Sequence, residues 1–213
     1  MHVIYGGTFD PIHHGHLRLA LEVSDALSVD RVHLVPCHIP PHRNATGATS
    51  AQRLDMIRLA IEGEPCLRVD DRELRRAGAS FTADTLRQLR NELGPEQPLV
   101  MVVGTDAFAG FGQWREWQDI PALAHIVVVQ RPGSHLPEGS DAGLLLGQRR
   151  VTSPDTLRSA PAGKILELEA PLLDISATGI RQRIAGGRSP RYLMPDSVWQ
   201  RIQNQGLYGA CPD

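Results

Sequence analysis

Several features that would place this sequence in a specialised class are scarce. Cysteine occurs only as Cys37, Cys66 and Cys211. Because this odd number shows no CxxC spacing, a disulfide framework or a zinc site is disfavoured and a reducing compartment is indicated. The sequence has no apolar run of about 18 residues, and no secretory signal precedes the first apolar segment. We therefore expect a cytoplasmic protein without a membrane partner.

Charge of one sign is also lacking. The formal net charge is −2, so the chain has no overall electrostatic footprint for nucleic acid, and no nucleic-acid partner is expected. Lysine occurs only as Lys164. The arginines offer forks of donors that suit phosphate, although a genome-wide compositional bias is the simpler explanation. A length of 213 residues with 41% hydrophobic and 22% charged residues predicts one globular domain over 1–213.

The stretch GGTFDPIHHGH, residues 6–16, joins a short apolar strand to a helix. Glycines let backbone amides approach a polyphosphate, and a helix N-terminus adds unbonded N–H donors and the positive end of a dipole. His13 and His16 are three residues apart, so both side chains can face the same anion. A plain strand-to-helix turn would explain the glycines, but it would leave the two histidines without a reason.

The rest of the chain alternates between strand and helix patterns. Apolar or β-branched runs predict strands at 31–36, 66–70, 99–103, 125–129 and 164–168, and apolar spacing predicts helices at 15–27, after an N-cap at Ser50, at 83–93 and at 195–205. The first strand, helix and strand imply a parallel sheet with a right-handed crossover. We predict an α/β fold, a Rossmann-like doubly wound parallel sheet with helices on both faces. A small C-terminal helical portion is expected at about 176–213.

Two segments are predicted to lie outside this regular pattern. The charged residues 70–76 are most simply an exposed turn. Residues 133–162 are rich in Gly, Pro, Ser and Asp, and we interpret them as an insertion or variable loop, with a short helix at Leu144–Leu146 as an alternative.

A second candidate phosphate site is ISATGIR, residues 175–181. Ser176 and Thr178 lie where a new helix begins, and Arg181 follows about one turn later. Hydroxyls, free amides and a guanidinium can together clamp phosphate. A Ser/Thr cap followed by a surface arginine is the common alternative.

Three further segments are candidates for binding the rest of a ligand. Asp106 follows a buried strand, where a carboxylate can bind a ribose hydroxyl or help to organise a metal ion, or can simply cap a helix. Ser80 and Thr82 precede the helix at 83–93 and are either caps or part of a helix start that receives a ligand carboxylate. Trp114 and Trp117 either pack at the rim or stack on a flat ring.

The two phosphate motifs resemble the two signatures of the HxGH nucleotidyltransferase superfamily, and residues 6–11 resemble most closely the bacterial nicotinate-nucleotide adenylyltransferases. The resemblance implies transfer of the adenylyl group of ATP to nicotinate mononucleotide, giving nicotinate adenine dinucleotide and pyrophosphate in NAD biosynthesis. The attacking phosphate is already anionic at neutral pH. Direct in-line attack therefore needs no general base, and catalysis consists of positioning and charge neutralisation.

The resemblance also implies a set of site residues. Family members carry a Pro-Pro-His-Arg segment that contacts the mononucleotide, here ending in His42 and Arg43, and a tryptophan that stacks on the pyridine, best matched by Trp114. Arg115 departs from the aromatic residue often found after that tryptophan. The predicted catalytic residues are His13, His16 and Arg181. The predicted ATP-binding residues are Gly6, Gly7, Thr8, Phe9, His13, His16, Gly104, Asp106, Ser176, Thr178 and Arg181. The predicted mononucleotide-binding residues are Thr8, His42, Arg43, Ser80, Phe81, Thr82, Trp114 and Arg131. Mg²⁺ is expected to be bound mainly through the ATP phosphates, without a dedicated protein metal site.

Other functions share parts of this pattern. Related enzymes of the superfamily act on phosphopantetheine, on choline or glycerol phosphate, or on nicotinamide mononucleotide. An RNA-binding fragment related to class I tRNA synthetases would also carry HxGH, but the short chain, the weak net charge and the lack of a Lys-Met-Ser-Lys-Ser loop disfavour it. A non-catalytic nucleotide sensor is disfavoured because both phosphate signatures are intact.

Overall fold

The computed structural model describes residues 1–39, 46–130, 139–171 and 173–211. Continuous apolar runs such as Leu99–Val103 form strands that are buried on both faces, as is typical of a parallel sheet. The strands are β1 (His2–Gly7), β2 (Val32–Pro36), β3 (Leu67–Val69), β4 (Leu99–Gly104), β5 (His125–Gln130), β6 (Arg150–Val151) and β7 (Ile165–Glu169).

The seven strands form one sheet in the order β3-β2-β1-β4-β5-β7-β6, and each recorded pair is parallel. The chain runs outward from β1 through β2 to β3 and then returns to the other side of β1 as β4. The predicted doubly wound parallel sheet is thereby confirmed. The reversal places a crevice at the carboxyl ends of β1 and β4, where open α/β sheets bind ligands.

Helices cover both faces of the sheet. They are α1 (His14–Leu27), α2 (Ser50–Ala60), α3 (Thr82–Leu93), α4 (Thr105–Ala109), α5 (Ile120–Leu123), α6 (Asp141–Arg149), α7 (Ala177–Ala185) and α8 (Asp196–Asn204). Val3 packs with apolar residues of α1, α2, α7 and α8 in one core cluster. Its neighbour Ile4 packs with residues of α3, α4, α5 and α6 in a second cluster. This alternation follows from the period of two along a strand.

The structure differs from the predictions at the start of α2 and in the segment 70–76. Thr49, and not Ser50, is the N-cap of α2: its hydroxyl accepts from Gln52 N, and the Gln52 side chain accepts from Thr49 N. The glutamine three residues after Thr49 completes a capping box that Ser50 cannot form. The expected exposed turn at 70–76 is also wrong, because residues Arg72–Arg75 form a 3-10 helix in which Glu73 is buried.

Residues 139–162 contain more regular structure than a variable loop. Helix α6 begins at a Ser140 cap, whose hydroxyl accepts from Gly143 N, and it extends well beyond the short helix considered at 144–146. Strand β6 then joins the edge of the sheet beside β7, and residues Pro154–Ser159 form a 3-10 helix. Residues 133–138 of that prediction lie outside the described part of the chain.

Within the described residues, none of the helices combines the length and the apolar character that crossing a membrane requires.

Candidate functional site

A cavity of about 1020 Å³ opens at the carboxyl edge of the sheet, beside β1 and β4. Fifteen of the predicted site residues line it: Gly6, Gly7, Thr8, Phe9, His13, His16, Ser80, Phe81, Thr82, Gly104, Asp106, Trp114, Ser176, Thr178 and Arg181. His42, Arg43 and Arg131 fall outside the described residues. The assignment of individual side chains to ligand groups stays a prediction.

The glycine turn after β1 is fixed by Phe9. The Phe9 backbone has φ 50°, in the left-handed region that non-glycine residues rarely adopt, and its ring is buried. A Cβ atom on Gly7 would lie 2.9 Å from Cζ of that ring, so Gly7 must be glycine for the turn to pack. A Cβ atom on Gly6 would meet no protein atom within 4 Å. The space beside Gly6 therefore belongs to the cavity, where a ligand can approach the backbone.

The two histidines of the motif lie together at the start of α1. Their imidazole rings stack with centroids 3.7 Å apart and planes 24° from parallel. His13 is the N-cap residue of α1 and makes no side-chain cap hydrogen bond, and the first turn of the helix carries no acidic residue. The first turn of the helix thus adds no negative charge of its own. The pair and the positive end of the helix dipole face the cavity together.

Asp10 connects the glycine turn to two distant segments. Its buried carboxylate accepts hydrogen bonds from Gly47 N at 2.8 Å, Ala48 N at 3.1 Å and the Tyr208 hydroxyl at 2.7 Å. Burial, together with this hydrogen bond, raises the pKa of Tyr208. A Cβ atom on Gly47 would lie 2.7 Å from the Tyr208 ring, so the ring presses directly on that backbone. Asp10 therefore fixes the turn against residues 46–48 and the C-terminal segment.

The second predicted phosphate motif contacts the first one directly. Arg181 Nη1 donates to the Asp10 carbonyl oxygen at 2.7 Å, and Nη2 donates to the Thr178 hydroxyl at 3.3 Å. Ser176 is the N-cap of α7, because its hydroxyl accepts from Gly179 N at 3.1 Å. A Cβ atom on Gly15 would lie 3.3 Å from the Ile175 carbonyl oxygen. Two motifs separated by about 160 residues thus form one wall of the cavity.

The start of α3 forms another part of the wall. The N-cap is Phe81, which makes no side-chain cap hydrogen bond. The expectation that Ser80 or Thr82 caps this helix is therefore wrong. The Ser80 hydroxyl instead accepts from His38 N at 2.8 Å, because the polypeptide after β2 passes beside it. The uncapped amides at Thr82 remain available to an anion.

Glu73 is a buried acid at this end of the cavity. Burial raises the pKa of Glu73, although hydrogen bonds from the hydroxyls of Thr85 and Ser80 and the nearby Arg76 lower it in part. The Thr85 hydroxyl donates to Glu73 Oε1 at 2.6 Å, and Arg76 Nη2 lies 3.7 Å from the same oxygen. This cluster holds the 3-10 helix of Glu73 against α3.

The two tryptophans have different positions. Trp114 lines the cavity and also contacts Phe111, with ring centroids 5.3 Å apart. Trp117 packs on the other side of Phe111, with centroids 6.0 Å apart, and is not among the lining residues. Arg115 places its guanidinium 4.6 Å from the centroid of Phe81. Of these two tryptophans, Trp114 is therefore the one that a ligand in the cavity can contact.

Asp106 lies in the first turn of α4, immediately after β4, and Gly104 is the N-cap residue. The alternative of Asp106 as a helix cap is thus wrong, and its carboxylate lines the cavity. In the part of the chain that the structure describes, no group of three or more His, Cys, Asp or Glu side chains could hold a metal ion.

Four residues that support the cavity were missed by the sequence analysis: Asp10, Arg53, Glu73 and Tyr208. Arg53 is fully buried, which lowers its pKa, and donates to backbone carbonyls of the segments after β1 and β2. Asp10 lies inside the motif predicted to bind phosphate, Glu73 lies in the segment predicted to be an exposed turn, and no site prediction covers Arg53 or Tyr208. The burial of Arg53 could have been inferred from its spacing, because it lies on the same face of α2 as the apolar residues Met56 and Ile57, which are buried.

Comparison with known proteins gives a consistent picture. Residues 4–183 match the family model described as cytidylyltransferase-like. A protein of Marinobacter nauticus named "Probable nicotinate-nucleotide adenylyltransferase" is 73% identical over 212 residues, covering 100% of this chain and 98% of that relative. A protein of Cellvibrio japonicus with the same name is 51% identical, covering 96% of this chain and 97% of the relative.

The solved structures extend the similarity to the fold. The nicotinic acid mononucleotide adenylyltransferase of Plasmodium falciparum, complexed with NaAD, superposes with a TM-score of 0.72. The alignment covers 99% of this chain and 98% of that one, at 18% sequence identity. At this identity the likeness shows a shared fold.

Proposed function

Because this chain belongs to the cytidylyltransferase-like family and, within it, to the nicotinate-nucleotide adenylyltransferases, we propose that it transfers the adenylyl group of ATP to nicotinate mononucleotide. The products would be nicotinate adenine dinucleotide and pyrophosphate, in a step of NAD biosynthesis. The observation that carries this proposal is the hydrogen bond of 2.7 Å from Arg181 to the Asp10 carbonyl. It brings the two predicted anion-binding motifs into contact beside one cavity, which supports a shared site for the phosphates of ATP.

In this proposal the triphosphate lies between the two motifs. His13 and His16 contact it at the start of α1, with His16 nearest the α-phosphate. Ser176, Thr178 and Arg181 hold the β- and γ-phosphates. The backbone of 6–9 approaches the nucleotide, and Gly104 and Asp106 receive its ribose. All of these residues line the same cavity, which supports the assignment.

The acceptor would occupy the part of the cavity formed by α3 and Trp114. The nicotinate carboxylate would bind at the uncapped start of α3, at Thr82, beside Ser80 and Phe81. The pyridine ring would stack on Trp114. His42, Arg43 and Arg131 complete the predicted set from outside the described residues, and Thr8 contacts both substrates.

The reaction would be a direct in-line displacement. A phosphate oxygen of the mononucleotide attacks the α-phosphorus of ATP, a new P–O bond forms, and the bond to the pyrophosphate leaving group breaks. The attacking oxygen is already anionic at neutral pH, so no general base is required. The protein lowers the barrier by alignment and by neutralising charge on the α-phosphate and on the leaving group.

A magnesium ion fits this site without a dedicated protein cage. Mg²⁺ usually keeps several waters and binds through substrate phosphates and one or two carboxylates. Asp106 supplies a carboxylate on the cavity wall. When bound, the ion would neutralise phosphate charge.

We also treat residues 1–213 as a single domain. Ile180, Val198 and Leu207 of the C-terminal portion belong to the same core cluster as Val3 of β1, which supports this view.

Pyrophosphate release tests the proposal. The purified chain is incubated with ATP and, in separate reactions, with nicotinate mononucleotide, nicotinamide mononucleotide, phosphopantetheine, choline phosphate and glycerol phosphate. We expect the highest kcat/KM with nicotinate mononucleotide. A higher kcat/KM with nicotinamide mononucleotide would contradict both the substrate assignment and the role of Thr82. If no acceptor led to pyrophosphate release, the result would favour a nucleotide sensor.

A further inference from the structure

Arg53 on α2 is a buried cation that forms no ion pair with the described residues. Burial lowers its pKa, although the charge of Asp10 raises it in part. The side chain is 0% exposed, and no carboxylate of the described residues lies within ion-pairing distance of it. Moving a charge out of water is costly unless it is well hydrogen-bonded. A cation retained in such a place therefore depends on the hydrogen bonds that its guanidinium makes.

The Arg53 guanidinium donates hydrogen bonds to backbone carbonyls of two loops. Nη1 donates to the Thr8 carbonyl at 2.6 Å, and Nη2 donates to the carbonyls of Cys37 at 2.7 Å and His38 at 3.0 Å. Nη2 also donates to the Ser50 hydroxyl at 3.1 Å. Only the planar fork of arginine can reach several acceptors in this way.

Those loops carry the two halves of the proposed site. Thr8 belongs to the turn after β1, which approaches the ATP phosphates. Cys37 follows β2 and lines the cavity, and His38 N donates to the Ser80 hydroxyl at 2.8 Å, at the end of the cavity proposed for the mononucleotide. A backbone hydrogen bond of 3.0 Å from Cys37 N to Gly7 O joins the same loops beside the arginine. Arg53 itself is held at the start of α2 by the bond from its N to Thr49 O at 2.9 Å.

We propose that Arg53 is a positioning residue that sets the distance between the loop for the nucleotide donor and the loop for the acceptor. This role rests on the proposed function. In an in-line displacement the reacting atoms must lie about 3–3.5 Å apart, and a misplacement of about 1 Å can lower the rate about 100-fold. Loss of the clamp should therefore lower kcat while each substrate still binds to its own loop.

Arg90 offers a matched control. It also donates to backbone carbonyls, those of Gly94, Gln97, Leu123 and Pro161, with distances of 2.7–3.1 Å. Burial lowers the pKa of Arg90 as it does that of Arg53. These carbonyls lie near the amino ends of β4, β5 and β7, at the opposite edge of the sheet from the cavity.

The experiment compares wild type, Arg53→Ala, Arg53→Lys and Arg90→Ala by the rate of dinucleotide formation and by thermal unfolding. For Arg53→Ala we expect kcat to fall ~10- to 100-fold, with smaller changes in both KM values. Guanidinium at low millimolar concentration should restore part of kcat in Arg53→Ala and none in Arg90→Ala. Arg53→Lys keeps the positive charge but lacks the planar guanidinium, so its kcat should also be lower than that of wild type. This variant tests the role if Arg53→Ala does not fold.

Two outcomes separate the hypotheses. If wild type forms the dinucleotide and both folded Arg53 variants keep its kcat, or lose no more than Arg90→Ala, the positioning role is overturned and the proposed function stands. If wild type forms none, the proposed function is overturned and the role of Arg53 falls with it.

Discussion

His13 and His16 differ in exposure, although their spacing places both at one helix start. The side chain of His13 is 4% exposed, whereas His16 lines the cavity and is partly exposed. The two imidazole rings stack on each other. Phe9 contacts His16 edge to face, with ring centroids 5.0 Å apart. We therefore expect His16, the more exposed ring, to be the one that contacts a bound phosphate, with the His13 ring packed against it.

Replacing His16 by alanine should lower kcat by at least ~100-fold, since charge stabilisation aimed at the transition state is lost. Steady-state kinetics with ATP and nicotinate mononucleotide measure the effect. His14→Ala is the control, because the His14 side chain is not among those that line the cavity. Near-normal kcat in the His16 variant would remove this residue from catalysis.

Trp114 and Trp117 allow a paired test of ring stacking. Trp114→Ala should raise KM for the mononucleotide and leave KM for ATP almost unchanged, because only the acceptor is expected to lie on that ring. Trp117→Ala should lower stability through lost packing on Phe111 without this selective change in KM. Equal effects of Trp114→Ala on both substrates would show that this ring is part of the core only.

At the scale of elements, the C-terminal segment supports the glycine turn. Tyr208 has φ 58° and belongs to the 3-10 helix Leu207–Gly209 that follows α8. Its hydroxyl reaches Asp10, and its ring lies against Gly47. The segment after α8 thus contributes a residue that holds the glycine turn in place.

Tyr208→Phe removes the hydroxyl and keeps the ring. We expect the free energy of unfolding to fall by ~1.5–3 kcal/mol, the range for a hydrogen bond to a charged group. Urea titration measures this value. Tyr192→Phe is the matched control, because Tyr192 is 85% exposed and its hydroxyl should contribute little. Equal stability of the two variants would show that the bond to Asp10 adds nothing.

Elements with a strong local pattern were predictable from the sequence. The buried run Leu99–Val103 and the helix with Leu86 and Leu89 on one face form where periodicity placed them. Glu73 was assigned to an exposed turn because its burial comes from Thr85 and α3, which local charge does not reveal. The contact between Asp10 and Tyr208 spans 198 residues and leaves no local pattern at either end. Residues of both predicted phosphate motifs line the cavity, and each motif could be recognised because its residues are nearly consecutive in the sequence.

At the scale of the whole molecule, acid sensitivity should include a contribution from His2. Burial, followed by the charge of the neighbouring His33, lowers the pKa of His2 to about 4. The two rings stack with centroids 4.3 Å apart on strands β1 and β2. Unfolding returns His2 towards its ordinary pKa of 6.5. Between these values the unfolded chain binds more protons, so stability falls as the pH falls.

His2→Phe keeps an aromatic ring beside His33 and removes the titration. We expect the loss in free energy of unfolding from pH 7 to pH 5 to be smaller in the variant than in wild type. Urea titrations at both values measure the difference, and a third at pH 8 should show no further change due to this residue. Parallel curves for the two proteins would contradict a lowered pKa for His2.

The hydrogen bond between Asp10 and Tyr208 has a consequence for biosynthesis. Synthesis runs from the N-terminus, so Asp10 in the glycine turn is made 198 residues before Tyr208, which supports it. A nascent chain that ends before residue 208 contains all seven strands and both phosphate motifs, yet the carboxylate that fixes the first motif lacks its hydroxyl partner. Truncation before Tyr208 should therefore loosen the glycine turn while leaving the sheet intact.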